Sequence, residues 1–365
     1  MAPRGLPSGL AVLAAGTLAC AGPAGAAPDA RAARLLKAAL AGPSAPCAGE
    51  QTTEVYVDSS PITARVRFVA NGAGAVRREY GQGGAGVVTL QVGRTVYQRD
   101  AANRWTRLPS SEGDTTAADR ILANYAVSAQ AGGSVAGRNA ELVVVRARQP
   151  FNPSRRLWVD PPTGLVLRDV LYAPDGRVRS RSEFVSLRFG PQPRELFVPP
   201  AQAAESSAIG PASFESLGSP ARVEQVTGRP VLAPAYVPPG YRPVLYGAVT
   251  ARSGMRFPAV RYSDGLAAFT VFQRGWGGPG AGMGRGPGGG FGGGAGRRGR
   301  GWGQGGPPPG RGPRGGAGPG AGAGLGALRS TRQQAIVERA TDRANYVLVG
   351  DLAEQELRRV AESLP

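Results

Sequence analysis

The chain has 365 residues, among them 57 Gly and 33 Pro, and a net charge of +18. It contains no His, two Cys and a single Lys, Lys37, so a Ser-His-Asp triad, a His or thiolate zinc site and a lysine-dependent phosphate loop are all excluded. Carboxylate, Ser/Thr or Tyr chemistry is all that remains open to an enzyme, and the charge favours anionic partners such as acidic proteins or lipid head groups.

Residues 1–26 read as a secretory signal peptide. Arg4 supplies the positive start, Leu10 to Ala21 is apolar but too short to span a bilayer, and Ala24-Gly25-Ala26 fits a cleavage site. The rival is a lipoprotein signal acylated at Cys20, for which Thr17-Leu18-Ala19 is a poor lipobox. Cleavage leaves Cys47 as the only thiol, expected to be buried. No later run is long and apolar enough to span a membrane, so the mature chain is expected not to span one, and its place is the periplasm or cell envelope.

Asp29 to Leu40 is expected to form a helix. Asp29 caps it, Leu35, Leu36, Ala39 and Leu40 share one face, and Gly42-Pro43 stops it. The period then changes to two. Glu54 to Val57, Ala64 to Val69, Ala75 to Tyr80, Gly86 to Val92, Thr95 to Gln98 and Arg104 to Leu108 predict an antiparallel meander. In its second strand Arg65 and Arg67 face one way, Val66 and Phe68 the other. A helix is expected at Ala117 to Ala126. Strands resume at Glu141 to Arg146, Arg155 to Asp160, Gly164 to Tyr172 and Val178 to Phe189. So many sequential strands must curl or close.

The Pro- and Ala-rich stretch around 199–211 reads as a linker. A second domain, 212–365, is expected to hold strands at Arg242 to Thr250, Ala259 to Tyr262, Ala267 to Phe272, Ile336 to Ala340 and Tyr346 to Gly350. Asp351 and Glu354 form the pattern of a capping box for a last helix, Leu352 to Ser363, whose buried stripe is Leu352, Leu357, Val360, Ala361 and Leu364. Between these strands lies 275–328, where Gly fills 28 of 54 positions. That composition cannot bury enough surface to offset its ordering entropy, so disorder is expected.

Few strings suggest chemistry. Gly284-x-Gly286-x-x-Gly289 matches a dinucleotide fingerprint, but it lacks a strand-to-helix setting and contains Pro287. The Arg-Gly runs with Trp276, Phe291 and Trp302 resemble a nucleic-acid tract, which the export signal argues against. Asp100, Asp160, Asp169 and Asp175 fall in turns or at strand ends, where Asp is ordinarily structural. No catalytic, cofactor or metal site is expected, and the chain reads as a binding protein rather than an enzyme. Trp105 and Trp158, with Val66 and Phe68, are candidates to line an apolar cavity, core packing being the alternative.

Tyr262-Ser263-Asp264-Gly265-Leu266-Ala267, with the alternating run to Phe272, predicts a turn leading into a half-buried strand. This string resembles the "YSDGLA" hallmark of the C-terminal domain of the RseB/MucB family, periplasmic regulators of the sigma-E envelope stress response. "PAYVPPGY" at Pro234 to Tyr241, "YVLVGDLAEQELRRVAESL" at the C-terminus and "RRLWVDPPTGLVLRDVLY" from Arg155 resemble further family segments, in family order. The Gly-rich insert is foreign to that pattern. The resemblance implies an α+β protein: a curved antiparallel LolA/LolB-like half-barrel at 27–198, then a smaller α+β domain. It implies a regulator that binds the periplasmic segment of an anti-sigma factor and has no active site. The alternative it carries is a periplasmic carrier of lipid or acylated protein, because a curved sheet with an apolar face can hold an acyl chain.

Overall fold

Asp29 accepts a 2.9 Å hydrogen bond from the Arg31 backbone amide and caps α1, Ala30–Ala41. The computed structural model describes residues 29–57, 60–81, 86–100, 102–108, 114–205, 213–251, 254–274 and 334–365. The signal peptide expected at 1–26, with Cys20, and the Gly-rich insert expected to be disordered at 275–328 lie outside the described residues.

Eleven strands follow α1, with one helix among them. They are β1 Pro46–Val57, β2 Ser60–Asn71, β3 Ala75–Tyr80, β4 Val88–Val92, β5 Thr95–Arg99 and β6 Trp105–Leu108, then α2 Asp114–Asn124. After it come β7 Tyr125–Val135, β8 Arg138–Ala147, β9 Ser154–Val159, β10 Val166–Tyr172 and β11 Val178–Phe189. A two-residue strand, β12 Ala204–Glu205, adds in parallel to β6. The sheet order is β12-β6-β5-β4-β3-β2-β1-β11-β10-β9-β8-β7, so the first strand of the meander pairs with its last and the two halves fan out from that seam.

The sheet curls strongly. Cα atoms of β7 and β11 come within 8 Å although β8, β9 and β10 lie between them in the ladder. In a flat sheet four steps of about 4.8 Å would hold them about 19 Å apart. The Arg138 guanidinium of β8 therefore sits 4.8 Å over the Phe189 ring of β11 while it also bonds Asp160. Helices α1 and α2 cover one face. Leu35, Leu36 and Ala39 of α1 and Ile121 of α2 share a buried cluster with Val143, Leu157 and Val159, the alternating residues of β8 and β9.

The second sheet has the order β13-β14-β15-β16-β18-β17. Its strands are β13 Ser213–Ser216, β14 Arg242–Thr250, β15 Arg256–Ser263, β16 Ala268–Arg274, β17 Ala335–Ala340 and β18 Asn345–Gly350, with α3 Pro220–Thr227 and α4 Glu354–Glu362. The insert thus connects β16 to β17, on either side of β18. Leu352, Leu357, Val360, Ala361 and Leu364 all enter the buried core with Val260, Phe269 and Leu348. A curved antiparallel half-barrel followed by a smaller α+β unit is the observed architecture.

Three local expectations are corrected. The segment from Tyr125 is strand rather than the end of a helix: Tyr125 and Val127 alternate inward against α1, and this burial overrides the helical preference of its alanines. The segment read as a free linker is tied to the first sheet at Ala204–Glu205. Asp351 does not cap α4, whose N-cap is Ala353 with no side-chain hydrogen bond. The Asp351 carboxylate is drawn inward instead, where it accepts hydrogen bonds from the Ala268 amide and the Gln334 side chain.

Candidate binding site and the corner at Asp264

The residues nominated for an apolar cavity do not converge. Val66 and Phe68 lie in the interior at 1% and 3% exposure. Phe68 packs edge-to-face on Phe184, ring centroids 5.2 Å apart, in a cluster with Cys47, Leu165 and Leu167. Burial pushes the Cys47 thiol up to about 11, so it stays protonated and inert at neutral pH. Trp158 rests at the margin of the same cluster, with the Arg168 guanidinium 4.9 Å from its ring centroid. Trp105 is elsewhere. It lies in the row Arg67, Glu79, Val88, Arg99, Trp105 across the ladder. Directly opposed residues share a face, so Trp105 stands on the Arg67 side, opposite to Val66 and Phe68. There it packs with Val69, Leu90 and Phe197.

The Asp169 carboxylate holds Arg155 in a two-point ion pair, at 2.7 and 2.6 Å, and both side chains are nearly buried. Burial pulls the guanidinium pKa down, and Asp169 more than restores it. Asp160 and Asp175 work as turn residues. Asp160 Oδ1 accepts from the Arg138 guanidinium and its Oδ2 from the Thr163 hydroxyl, and the Asp175 carboxylate accepts from the Arg177 amide. Asp100 does the same for the Arg104 amide.

The Tyr262–Leu266 corner is where the two halves of the molecule meet. Tyr262 stacks on Phe269 within the second sheet, centroids 4.9 Å apart. The Ser263 hydroxyl donates to the Ala267 carbonyl and accepts from the Gly265 amide, which sets the turn. Asp264 is fully buried. Its Oδ1 accepts from the Leu266 and Ala267 amides at 3.0 and 2.8 Å. Its Oδ2 reaches the half-barrel, accepting from the Tyr125 hydroxyl at 2.6 Å and the Asn152 amide at 2.9 Å. The Tyr241 hydroxyl, from the second unit, donates back to Asn152 Oδ1 at 2.9 Å. Asn124 donates to the Asp264 and Gly240 carbonyls. Gly265 has φ +107°, and a Cβ there would stand 2.8 Å from the Ala117 carbonyl of α2. Leu266 completes the joint by entering the Ile121 and Tyr125 cluster.

Burial raises the Asp264 carboxyl above its ordinary value, and the donors from Tyr125, Ala267 and Leu266 offset this only in part. Burial likewise pushes the Tyr125 and Tyr241 phenols up, with the Asp264 charge adding to it, so both remain protonated donors. A second contact flanks the first: Arg179 of β11 lies 3.6 Å from Asp351, and the Ala353 amide donates to the Phe151 carbonyl. The corner read as a turn of the second sheet is therefore also the plug that docks that sheet onto the half-barrel. Sequence reasoning found the turn but missed Tyr125, Asn152 and Tyr241, because nothing local marks a partner 89 to 139 positions away.

Comparison with known proteins agrees with this architecture. The MucB/RseB N-terminal domain family matches residues 74–206. No curated protein sequence matches the chain. The solved complex of Pseudomonas aeruginosa MucA/MucB is similar in fold at a TM-score of 0.55 and 18% identity, over 92% of this chain and 99% of that one. A structure of MucB in complex with MucA(peri) gives 0.49 at 18% identity, over 92% and 98% of the two chains. A LolA superfamily protein from Nitrosomonas europaea gives 0.25 at 12% identity, over 46% and 97%. A MucB/RseB N-terminal domain thus occupies residues 74–206 of this chain, inside a two-part fold similar to that of MucB.

Proposed function

We propose that this protein is exported to the periplasm, where it binds the extracytoplasmic segment of a membrane-anchored anti-sigma factor and so restrains envelope-stress transcription. The observation that carries the reading is the fold shared over nearly the whole chain with a MucB solved in complex with MucA, joined to the family match in the large sheet. The role read here is binding, as the match to a regulatory binding domain in the large sheet supports. Among the described residues no helix is long and apolar enough to cross a membrane. The charge of +18 favours an acidic partner segment and would speed encounter more than it would raise affinity.

The test is co-purification from envelope extracts together with deletion of the gene. Recovery of an anti-sigma factor and a rise in sigma-dependent transcription in the deletion strain are expected. Recovery of bound lipid or acylated protein alone, with transcription unchanged, would put a carrier role in its place.

A further inference from the structure

The ends of the two sheets are protected unequally. The β6 end of the large sheet is covered by β12. In the second sheet β13 has four residues, and β17 carries Glu338 and Arg339. Short edges and edge charges are the usual means by which proteins keep foreign strands from pairing. The other end of the large sheet, β7, has neither. It runs for 11 residues, Tyr125–Val135, without a charge or a proline, and among the described residues only β8 pairs with it. A bulge between Ala131 and Gly133 breaks the register near its end, where Val135 packs with Phe184 of β11 across the curl, so Tyr125–Ala131 is the regular stretch and lies on the far side of the bulge from Val135. Within it Ala126, Ser128 and Gln130 are exposed, while Tyr125 and Val127 anchor the strand to α1 and α2 from below. The edge is thus rigidly held, and small side chains border it.

We infer that the β7 edge, over Tyr125–Ala131, receives an extended acidic segment of the partner chain as an added antiparallel or parallel strand. Backbone hydrogen bonds would supply the affinity, as in other strand-addition complexes. Charge selects the occupant. Arg146 stands directly across the ladder from Ala126, and Arg148 reaches the Tyr125 carbonyl. These cations border the edge at its Tyr125 end. They oppose a second copy of a chain with net charge +18 and attract an acidic strand. The inference rests on the anti-sigma factor reading and adds the surface and mode of contact.

The probe is the extracytoplasmic segment of the anti-sigma factor recovered by co-purification, added to the full mature protein. Amide hydrogen exchange is read over Tyr125–Ala131. Two variants, Ser128→Pro and Ala129→Pro, accompany it. Neighbouring residues in a strand point their N–H groups in opposite directions, so one proline removes an edge donor and the other cuts a bond to β8. The variant that keeps the parent melting temperature is the edge-blocked one. It is expected to bind the segment about tenfold more weakly, the loss that corresponds to one backbone hydrogen bond, and the segment is expected to slow exchange at alternate amides of β7 in the parent protein. Binding without protection of β7, or with full affinity in the edge-blocked variant, overturns the inference and leaves the anti-sigma reading standing. Absence of binding overturns that reading and this inference with it. Protection of β7 that grows with protein concentration alone assigns the edge to a second copy and also overturns it.

Discussion

The Tyr125 hydroxyl and the Asp264 carboxylate, 139 positions apart in sequence and 2.6 Å apart in space, join the two sheets. One is the first residue of β7 and the other lies in the turn after β15, so the bond ties the edge of the half-barrel to the hairpin of the second unit. Asp264 also accepts two amides of its own turn, and a single buried carboxylate therefore shapes the corner and docks it. Full satisfaction of a buried polar group is what makes such a joint stable.

Removing this hydroxyl should loosen the docking while leaving each sheet folded. Tyr125→Phe leaves Asp264 Oδ2 with one donor fewer, at an expected cost of about 1–3 kcal/mol for an unmet buried acceptor. Asp264→Ala should cost more, because Tyr125, Asn152 and two turn amides lose their acceptor together. Thermal melting would show the ranking. A fall of equal size in both variants would mean that the hydroxyl carries all of the joint's energy.

The joint should respond to pH in a set direction. Burial raises the Asp264 carboxyl, so the folded protein binds its proton more tightly than the unfolded chain does. Its contribution is full below the ordinary aspartate value and is lost as the pH rises through the folded value. Asp264→Asn, which resembles the neutral acid in shape and can donate to the Tyr125 oxygen, should gain stability relative to the parent as pH increases. Urea unfolding midpoints from about pH 4 to about pH 8 would reveal this slope, and a difference that is flat or falls with pH would contradict it.

Gly265→Ala is expected to destabilise the docked state for two separate reasons. The backbone is at φ +107°, and the new Cβ would meet the Ala117 carbonyl and the Ile121 amide of α2 at 2.8 and 2.9 Å. Strain at such a position costs about 1–3 kcal/mol, and the contact with rigid backbone adds to it. Limited proteolysis between the two units should become faster. Gly176→Ala, also at positive φ but with open space around it, is the control that carries strain without the clash.

The Arg155–Asp169 pair offers a test inside the large sheet. Asp169→Ala leaves a nearly buried guanidinium without its partner and should cost about 3–5 kcal/mol. The double replacement Arg155→Met with Asp169→Leu should recover most of that loss, because well-packed apolar groups avoid the desolvation penalty of both charges. Failure of the double variant to recover would indicate that the pair also fixes the register of β9 against β10.

The local elements were legible in the sequence because their determinants are local. The Asp29 cap, the alternation of Val66 and Phe68, and the Asp264-Gly265 turn each depend on residues within a few positions of one another. The α4 stripe was legible for the same reason, since Leu357, Val360, Ala361 and Leu364 recur at helical spacing. Asp351 was misread because a capping pattern and a buried staple look identical in a string; only the nearness of Ala268 and Gln334 decides between them. The strand β7 was missed because its Ala, Ser and Gln residues state little preference, and its pairing with β8 and packing on α1 supply what propensity does not.

The sequence by itself determined the class of the molecule: mainly antiparallel strands with a few helices, and no histidine chemistry available to it. It could do so because composition and period are properties of short stretches of chain. Tertiary structure alone decided which faces meet. The curl of the large sheet brings Arg138 onto Phe189, the ladder sends Trp105 away from Phe68, and the second unit delivers Asp264 to Tyr125. Each of these depends on strand register summed over several ladders, and a shift of one residue in any of them would exchange the faces.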